Sequence, residues 1–301
     1  MTAKRVIALL VAAALVVGAV LVRRNVIDKR STSTSTSPTE TTVSGSAADR
    51  EVTCTPDVAD ACRLAGFNVR EMAVTDLLAV NPAPALIVAA DPVGAMVVAR
   101  ARPTKTDTKP VASSPLVVAG PDERLKVLEA TCPGVTPKCL VTRAGAPWTD
   151  LPGGLSTWST LDEQTRDAAR LSDGLVAFTT LVAAMVEPDQ LSTATMGAAA
   201  SRAGQIVKAS KGRNDPVGDA IAVRFRLVVA PKATFSQPVA QRQIGTSTVT
   251  ISVTALGATV PDSVVKGLVA KLGNTGWGPG VATSGPDAIA GEAALDFWKR
   301  T

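Results

Sequence analysis

The chain has 301 residues, 46% of them apolar and 19% charged, enough apolar material for one or two packed cores and too much for a chain disordered throughout. It contains no His and no Tyr, and its aromatic residues are 5 Phe and 4 Trp, so Ser-His and Cys-His triads, His-containing zinc sites and His-ligated haem are excluded by composition. The net charge is +5, but residues 1–50 hold 7 Lys/Arg against 3 acids, which leaves 24 against 23 for residues 51–301; a nearly neutral remainder argues against a nucleic-acid-binding patch.

Residues 6–22 form an unbroken run of 17 apolar positions between Lys4-Arg5 and Arg23-Arg24. At about 1.5 Å per residue this is roughly 25 Å of helix, the short end of a bilayer span. No A-x-A-like site precedes the arginine pair and no Cys follows it, so an uncleaved signal-anchor over residues 1–30 is preferred to a cleaved leader. The heavier positive charge after the run would, alone, keep the large domain in the cytoplasm. The cysteines point the other way. Cys54 with Cys62 and Cys132 with Cys139 are two locally spaced pairs, and of the three pairings that four Cys allow, these close the shortest loops; four reduced buried thiols are the alternative. There is no C-x-x-C and no His, so zinc is disfavoured. The expectation is a single-pass cell-membrane protein with its C-terminal domain extracytoplasmic, in an oxidising space. Residues 31–50, opening on STSTSTSPTETTVSGSAAD, have almost no apolar content and read as a disordered tether.

From residue 51 short apolar runs alternate with helical patterns. Residues 85–90 (ALIVAA), 116–120 (LVVAG) and 140–143 read as buried strands. Residues 121–131 read as a helix with acids in its first turn, and 174–186 (GLVAFTTLVAAMV) as a helix apolar on nearly every face and therefore buried. Residues 220–230 and 246–255 read as strands. Residues 262–272 read as an amphipathic helix with Asp262 as N-cap and Val264, Val265, Leu268, Val269 and Leu272 on one side; residues 287–300 form a closing helix. This order predicts an α/β fold with a largely parallel sheet, and 251 residues suit two lobes better than one.

Trp277 and Trp298 read as core, while Trp148 and Trp158 sit in Gly/Pro-rich turns that would suit a cleft. Ser263-Val264-Val265-Lys266 matches the S-x-x-K nucleophile motif of penicillin-binding enzymes, but no K-T-G follows and Ser263 falls in the first turn of a surface helix, so the match is read as chance. No P-loop, Rossmann fingerprint or calcium loop is present.

The order of segments resembles the type 2 periplasmic solute-binding proteins, in the small membrane-anchored form found in actinobacteria. The resemblance runs through VTCTPDVADAC (52–62), ALIVAADPVGAMV (85–97), SSPLVVAG (113–120), APW (146–148), LSTW (155–158), LSDGLVAF (171–178) and Thr275-Gly276-Trp277 with the ending AALDFW. It implies a two-lobe α/β domain with lobe 1 over about 51–112 and 220–301 and lobe 2 over about 113–219. A small solute would sit between the lobes, captured for an ABC-type importer, with hydroxyls and helix N-terminal amides favouring an anionic group. The ligand-binding residues it implies are Ser113, Ser114, Thr157, Trp158, Ser172, Asp173 and Gly174. Asp173 departs from the family's small hydroxyl residue: a carboxylate there would cap its own helix and repel an anion. The alternative is a binding-protein fold that has lost capture and serves as a protein-interaction or regulatory domain of the cell envelope. No catalytic residue is expected, because no paired-carboxylate constellation is visible, and no metal or cofactor is expected either.

Overall fold

A computed structural model describes residues 51–186, 191–211, 217, 226–282 and 285–301, all within the compact unit Gly45–Thr301. The expected anchor and tether lie outside the described residues, as do 220–225 of the strand expected over 220–230. Among the described residues no helix is long and apolar enough to cross a membrane.

The elements in order are β1 (Glu51–Cys54), α1 (Ala59–Leu64), β2 (Asn68–Glu71), α2 (Val74–Ala79), β3 (Leu86–Ala90), α3 (Val93–Ala101), β4 (Thr106–Ala119), α4 (Asp122–Thr131), α5 (Pro137–Arg143), β5 (Glu163–Thr165), α6 (Ser172–Ala183), α7 (Ala200–Ser210), β6 (Leu227–Pro231), β7 (Gln241–Leu256), α8 (Asp262–Gly273), β8 (Gly278–Pro279) and α9 (Ala288–Arg300). They form a mixed α/β fold on one sheet of order β2-β1-β3-β7-β4-β6-β5, with β8 paired to β4.

The sheet is mixed, which corrects the expectation of a largely parallel one. β1 runs parallel to β2 and β3, and β5 parallel to β6. The long strands β4 and β7 run antiparallel to each other and to their neighbours β3 and β6. The buried runs were legible as strands, but their burial on both faces is the same for either direction. β3 pairs with the C-terminal part of β7, Leu86 opposite Ala255, whereas β6 pairs with the C-terminal part of β4, Leu116 opposite Pro231. The two ends of the sheet are thus joined through β4 and β7, whose pairing is irregular between Pro110 and Ala112 and between Pro115 and Val117.

Two helix starts differ from expectation. Residues 140–143, expected as a strand, belong to α5: Thr136 accepts from the amide of Cys139 at 3.3 Å and Pro137 occupies the first turn, a capped start that a four-residue apolar run conceals. Asp262 lies inside the first turn of α8, after Pro261; its carboxylate meets Lys109 at 3.1 Å instead of capping. α9 starts as expected, with Asp287 accepting from the amide of Ala290 at 2.7 Å.

Both local cysteine pairs are disulfides, Cys54–Cys62 tying the end of β1 to α1 and Cys132–Cys139 tying the end of α4 to α5. The core is continuous across the sheet, and α6 is its centre, with Leu175, Phe178, Leu181 and Val182 fully buried. Phe178 meets Trp298 of α9 edge-on, 5.0 Å between ring centroids.

Candidate functional site

The segment after β1 is short and held at both ends. Cys54 closes the strand, Cys62 sits in α1, and the disulfide between them leaves Thr55, Pro56 and Asp57 as a tight excursion. That excursion delivers Thr55 and Asp57 to the N-terminus of α6, which comes from the opposite part of the sheet. Leu171 stands at the cap position without a side-chain hydrogen bond, so the first amides of α6 need a partner from elsewhere.

Asp57 is that partner. Its Oδ1 accepts from the amide of Ser172 at 3.0 Å, and its Oδ2 accepts from the Ser172 hydroxyl at 2.6 Å and from the amide of Asp173 at 3.1 Å. The Ser172 Oγ also accepts from the amide of Ala90 at 2.8 Å and lies 3.0 Å from Thr55 Oγ1. A hydroxyl has one proton and two lone pairs. With the proton given to Asp57, Thr55 must donate to Ser172, and the hydroxyl is saturated. A second join lies beside it: the first amides of α2, Val74 and Thr75, donate to the carbonyls of Arg170 at 3.2 Å and Ala169 at 3.0 Å.

Asp173 faces the other way and is paired with Arg166. Neither Ser172 nor Asp173 is the N-cap of α6, which corrects the expectation that Asp173 would cap its own helix. The Asp173 carboxyl is 1% exposed, and burial, opposed by Arg166 and reinforced by the charge of Asp57, pushes its pKa up to about 6. Asp91, directly after β3, accepts from the Ser252 hydroxyl at 2.8 Å, and burial raises its carboxyl too. Gly174 is required by space: a Cβ there would stand 2.6 Å from the carbonyl oxygen of Arg166.

The predicted site residues fall into three places. Ser172, Asp173 and Gly174 meet at the seam just described. Ser113 and Ser114 lie mid-way along β4, where Ser113 donates to the carbonyl of Pro279 at 2.6 Å and buried Ser114 accepts from the amide of Ala233 at 3.0 Å. Thr157 is exposed, and half-buried Trp158 packs edge-on against buried Trp148 at 5.3 Å, with the Arg124 guanidinium 5.4 Å from one ring centre and 5.1 Å from the other. Trp148, whose turn would have suited a cleft, is core. Asp57 and Thr55 were missed by motif reading; the available signal was a Thr-Pro-Asp sequence inside a loop closed by neighbouring cysteines.

At the seam Thr55 and Ser172 are 0% exposed, so solvent does not reach the hydroxyl pair. Two surface cavities lie elsewhere. One of about 570 Å³ is walled by the ends of α2 and α3 with Arg100 and Leu256. Another of about 310 Å³ lies beside β5 and α7. None of the predicted site residues lines either. Among the described residues no group of three His, Cys, Asp or Glu could hold a metal ion.

No family model matches the chain and no curated protein is detectably similar to it. Solved structures give distant likenesses. The periplasmic binding protein AfuA from Actinobacillus pleuropneumoniae, with fructose-6-phosphate bound, is 12% identical with a TM-score of 0.49, covering 83% of this chain and 95% of that one. Iron-bound HitA from Pseudomonas aeruginosa is 11% identical with a TM-score of 0.48, covering 83% and 98%. A reduced form of OxyR from N. meningitidis is 10% identical with a TM-score of 0.43, covering 77% and 96%. Likenesses of this depth transfer no residue role.

Proposed function

We propose that residues 51–301 are a two-lobe, binding-protein-type domain whose inter-lobe seam is closed on its own side chains, serving as a protein-interaction or regulatory domain of the cell envelope. The observation that carries this reading is the seat of Asp57. Free amides at a helix N-terminus are where a bound anion is stabilised, and here the carboxylate of Asp57 takes the amides of Ser172 and Asp173 together with the Ser172 hydroxyl. An anionic solute would have to displace a covalently tethered competitor from these donors. The two disulfides favour an oxidising, extracytoplasmic setting, with residues 6–22 as the membrane anchor and 31–50 as the tether.

A second reading, capture of a small solute for an ABC-type importer, is favoured by the joining of the two ends of the sheet through β4 and β7, with pairing irregularities between Pro110 and Val117. Such a pair of strands is a place for hinge motion. A thermal-shift screen of the full chain and its Ser172→Ala variant against amino acids, polyamines, quaternary amines, sugars and oxyanions separates the two. The closed-seam reading expects no stabilisation that the variant loses. A saturable shift in the wild type that Ser172→Ala abolishes would establish solute capture at the seam.

A further inference from the structure

The cavity beside β5 and α7 is built differently from the seam and lies at the opposite end of its strands. Its wall combines Thr160 and Asp162 before β5, Gln164 in β5, Gln205 and Lys208 on α7, and Arg226 immediately before β6. The α6 seam follows the C-terminal end of β5, so this cavity is a separate place.

Two buried polar atoms in its wall lack partners. Gln164 is 1% exposed and its Oε1 accepts no hydrogen bond; Nη1 of Arg226 is buried and donates none. A buried polar group without a partner is costly, and a charged one more so. The remaining acid, Asp162, already takes the Thr160 hydroxyl at 2.9 Å. Lys208 is exposed on the same wall, so two cations face one carboxylate. A guanidinium with an unused donor and a neighbouring ammonium make a recognition set for a planar or tetrahedral oxyanion, and the unused Gln164 oxygen, an acceptor, suits an O–H carried by the same ligand. The volume, about 310 Å³, is at the small end of ligand pockets.

We infer that this cavity binds a small oxyanion that also carries an O–H, a hydroxycarboxylate or a hydrogen phosphate, through Arg226 and Lys208, with the Gln164 Oε1 accepting from the O–H of the same ligand. Arg226 supplies the directional donor. Lys208 raises the local concentration of anions and closes the exposed side. The Gln164 oxygen, fixed by burial, selects for an oxyanion that carries a proton on one of its oxygens.

The test is titration of the full-length protein with inorganic phosphate and, separately, citrate, at constant ionic strength set with chloride, read by calorimetry and by melting temperature. The expected result is saturable binding of at least one probe, weakened tenfold or more by Arg226→Gln and by Lys208→Gln. Lys208 is exposed, so its variant folds whatever Arg226→Gln does. Phosphate alone assigns a phosphoryl ligand, citrate alone a carboxylate, and both are supporting outcomes. Ser172→Ala, at the seam, should leave the affinity unchanged. No saturable binding of either probe, binding that Lys208→Gln leaves intact, or binding that Ser172→Ala removes would each overturn the assignment.

Discussion

Asp57 and Ser172, 115 positions apart in sequence, are joined twice: the carboxylate takes both the backbone amide of Ser172, at 3.0 Å, and its hydroxyl, at 2.6 Å. The same carboxylate takes the amide of Asp173 at 3.1 Å. A tethered acid therefore does the work that capping residues do locally in other helices, and it fastens the first part of the sheet to the helix at the centre of the core.

Removing that acid leaves two helix amides and a buried hydroxyl without an acceptor. Asp57→Ala should cost about 2–4 kcal/mol in urea denaturation of the full chain, since hydrogen bonds to charged groups contribute about 1.5–3 kcal/mol each and their loss is not additive. Asp57→Asn, which keeps one carbonyl acceptor, should cost less. Acetate at high concentration should restore part of the lost melting temperature in Asp57→Ala, beyond any shift it gives the wild type. Equal stability of Asp57→Ala and wild type would remove the latch from the account.

The position of Asp57 depends on the Cys54–Cys62 disulfide. In the chain-entropy account, closing a loop of about nine residues contributes about 2–3 kcal/mol. The double variant Cys54→Ser/Cys62→Ser should lose about that much stability. It should also raise hydrogen exchange at the amides of Ser172 and Asp173, which belong to another part of the chain. Exchange that rises only within residues 54–62 would show that the disulfide braces its own loop and does not hold the seam.

Much of this fold is written in local patterns. The run at 85–90 announces β3 because it is apolar throughout and flanked by prolines, and 246–255 announces β7 because polar and apolar residues alternate along it. The uniform apolarity of 174–186 announces the burial of α6 for the same reason that a core helix has no polar face. α5 was hidden because its signal is a cap, Thr136, on a short helix. Strand direction was hidden because β4 and β7 carry the same residue types whichever way they run. At the site, Ser172 to Gly174 could be singled out as a helix start, but their partner could not. Asp57 is an ordinary surface residue type in a short loop, and only tertiary folding reveals that it supplies the missing cap.

Gly174 tests how tightly the first turn of that helix is held. A Cβ there would stand 2.6 Å from the carbonyl oxygen and 2.8 Å from the carbonyl carbon of Arg166, backbone atoms that cannot rotate away. Gly174→Ala should therefore destabilise by about 1–3 kcal/mol, despite the better helix propensity of alanine. Gly204, inside α7, has nothing within 4 Å of the same position, so Gly204→Ala should stabilise by up to about 1 kcal/mol. Chemical denaturation of the two variants side by side makes the comparison internal; the same sign for both would contradict the packing at Gly174.

Asp173 gives the seam a pH dependence of definite sign. Its carboxyl is raised from 3.8 to about 6, first by burial, against the pull of Arg166 and with the help of the Asp57 charge. The folded protein then holds a proton that the unfolded chain releases, so the contribution of this group to stability is complete below pH about 4 and is lost as pH rises through about 6. At about 1.4 kcal/mol per pKa unit the change is roughly 3 kcal/mol. Asp173→Asn cannot titrate, while Glu163 and Asp91, whose carboxyls burial also raises, are the same in both proteins. The difference in unfolding free energy, wild type minus Asp173→Asn, should accordingly fall between pH 4 and pH 6 and level off above pH 7. A difference that stays constant across that window would mean that the Arg166 ion pair outweighs burial and that Asp173 is ionised throughout.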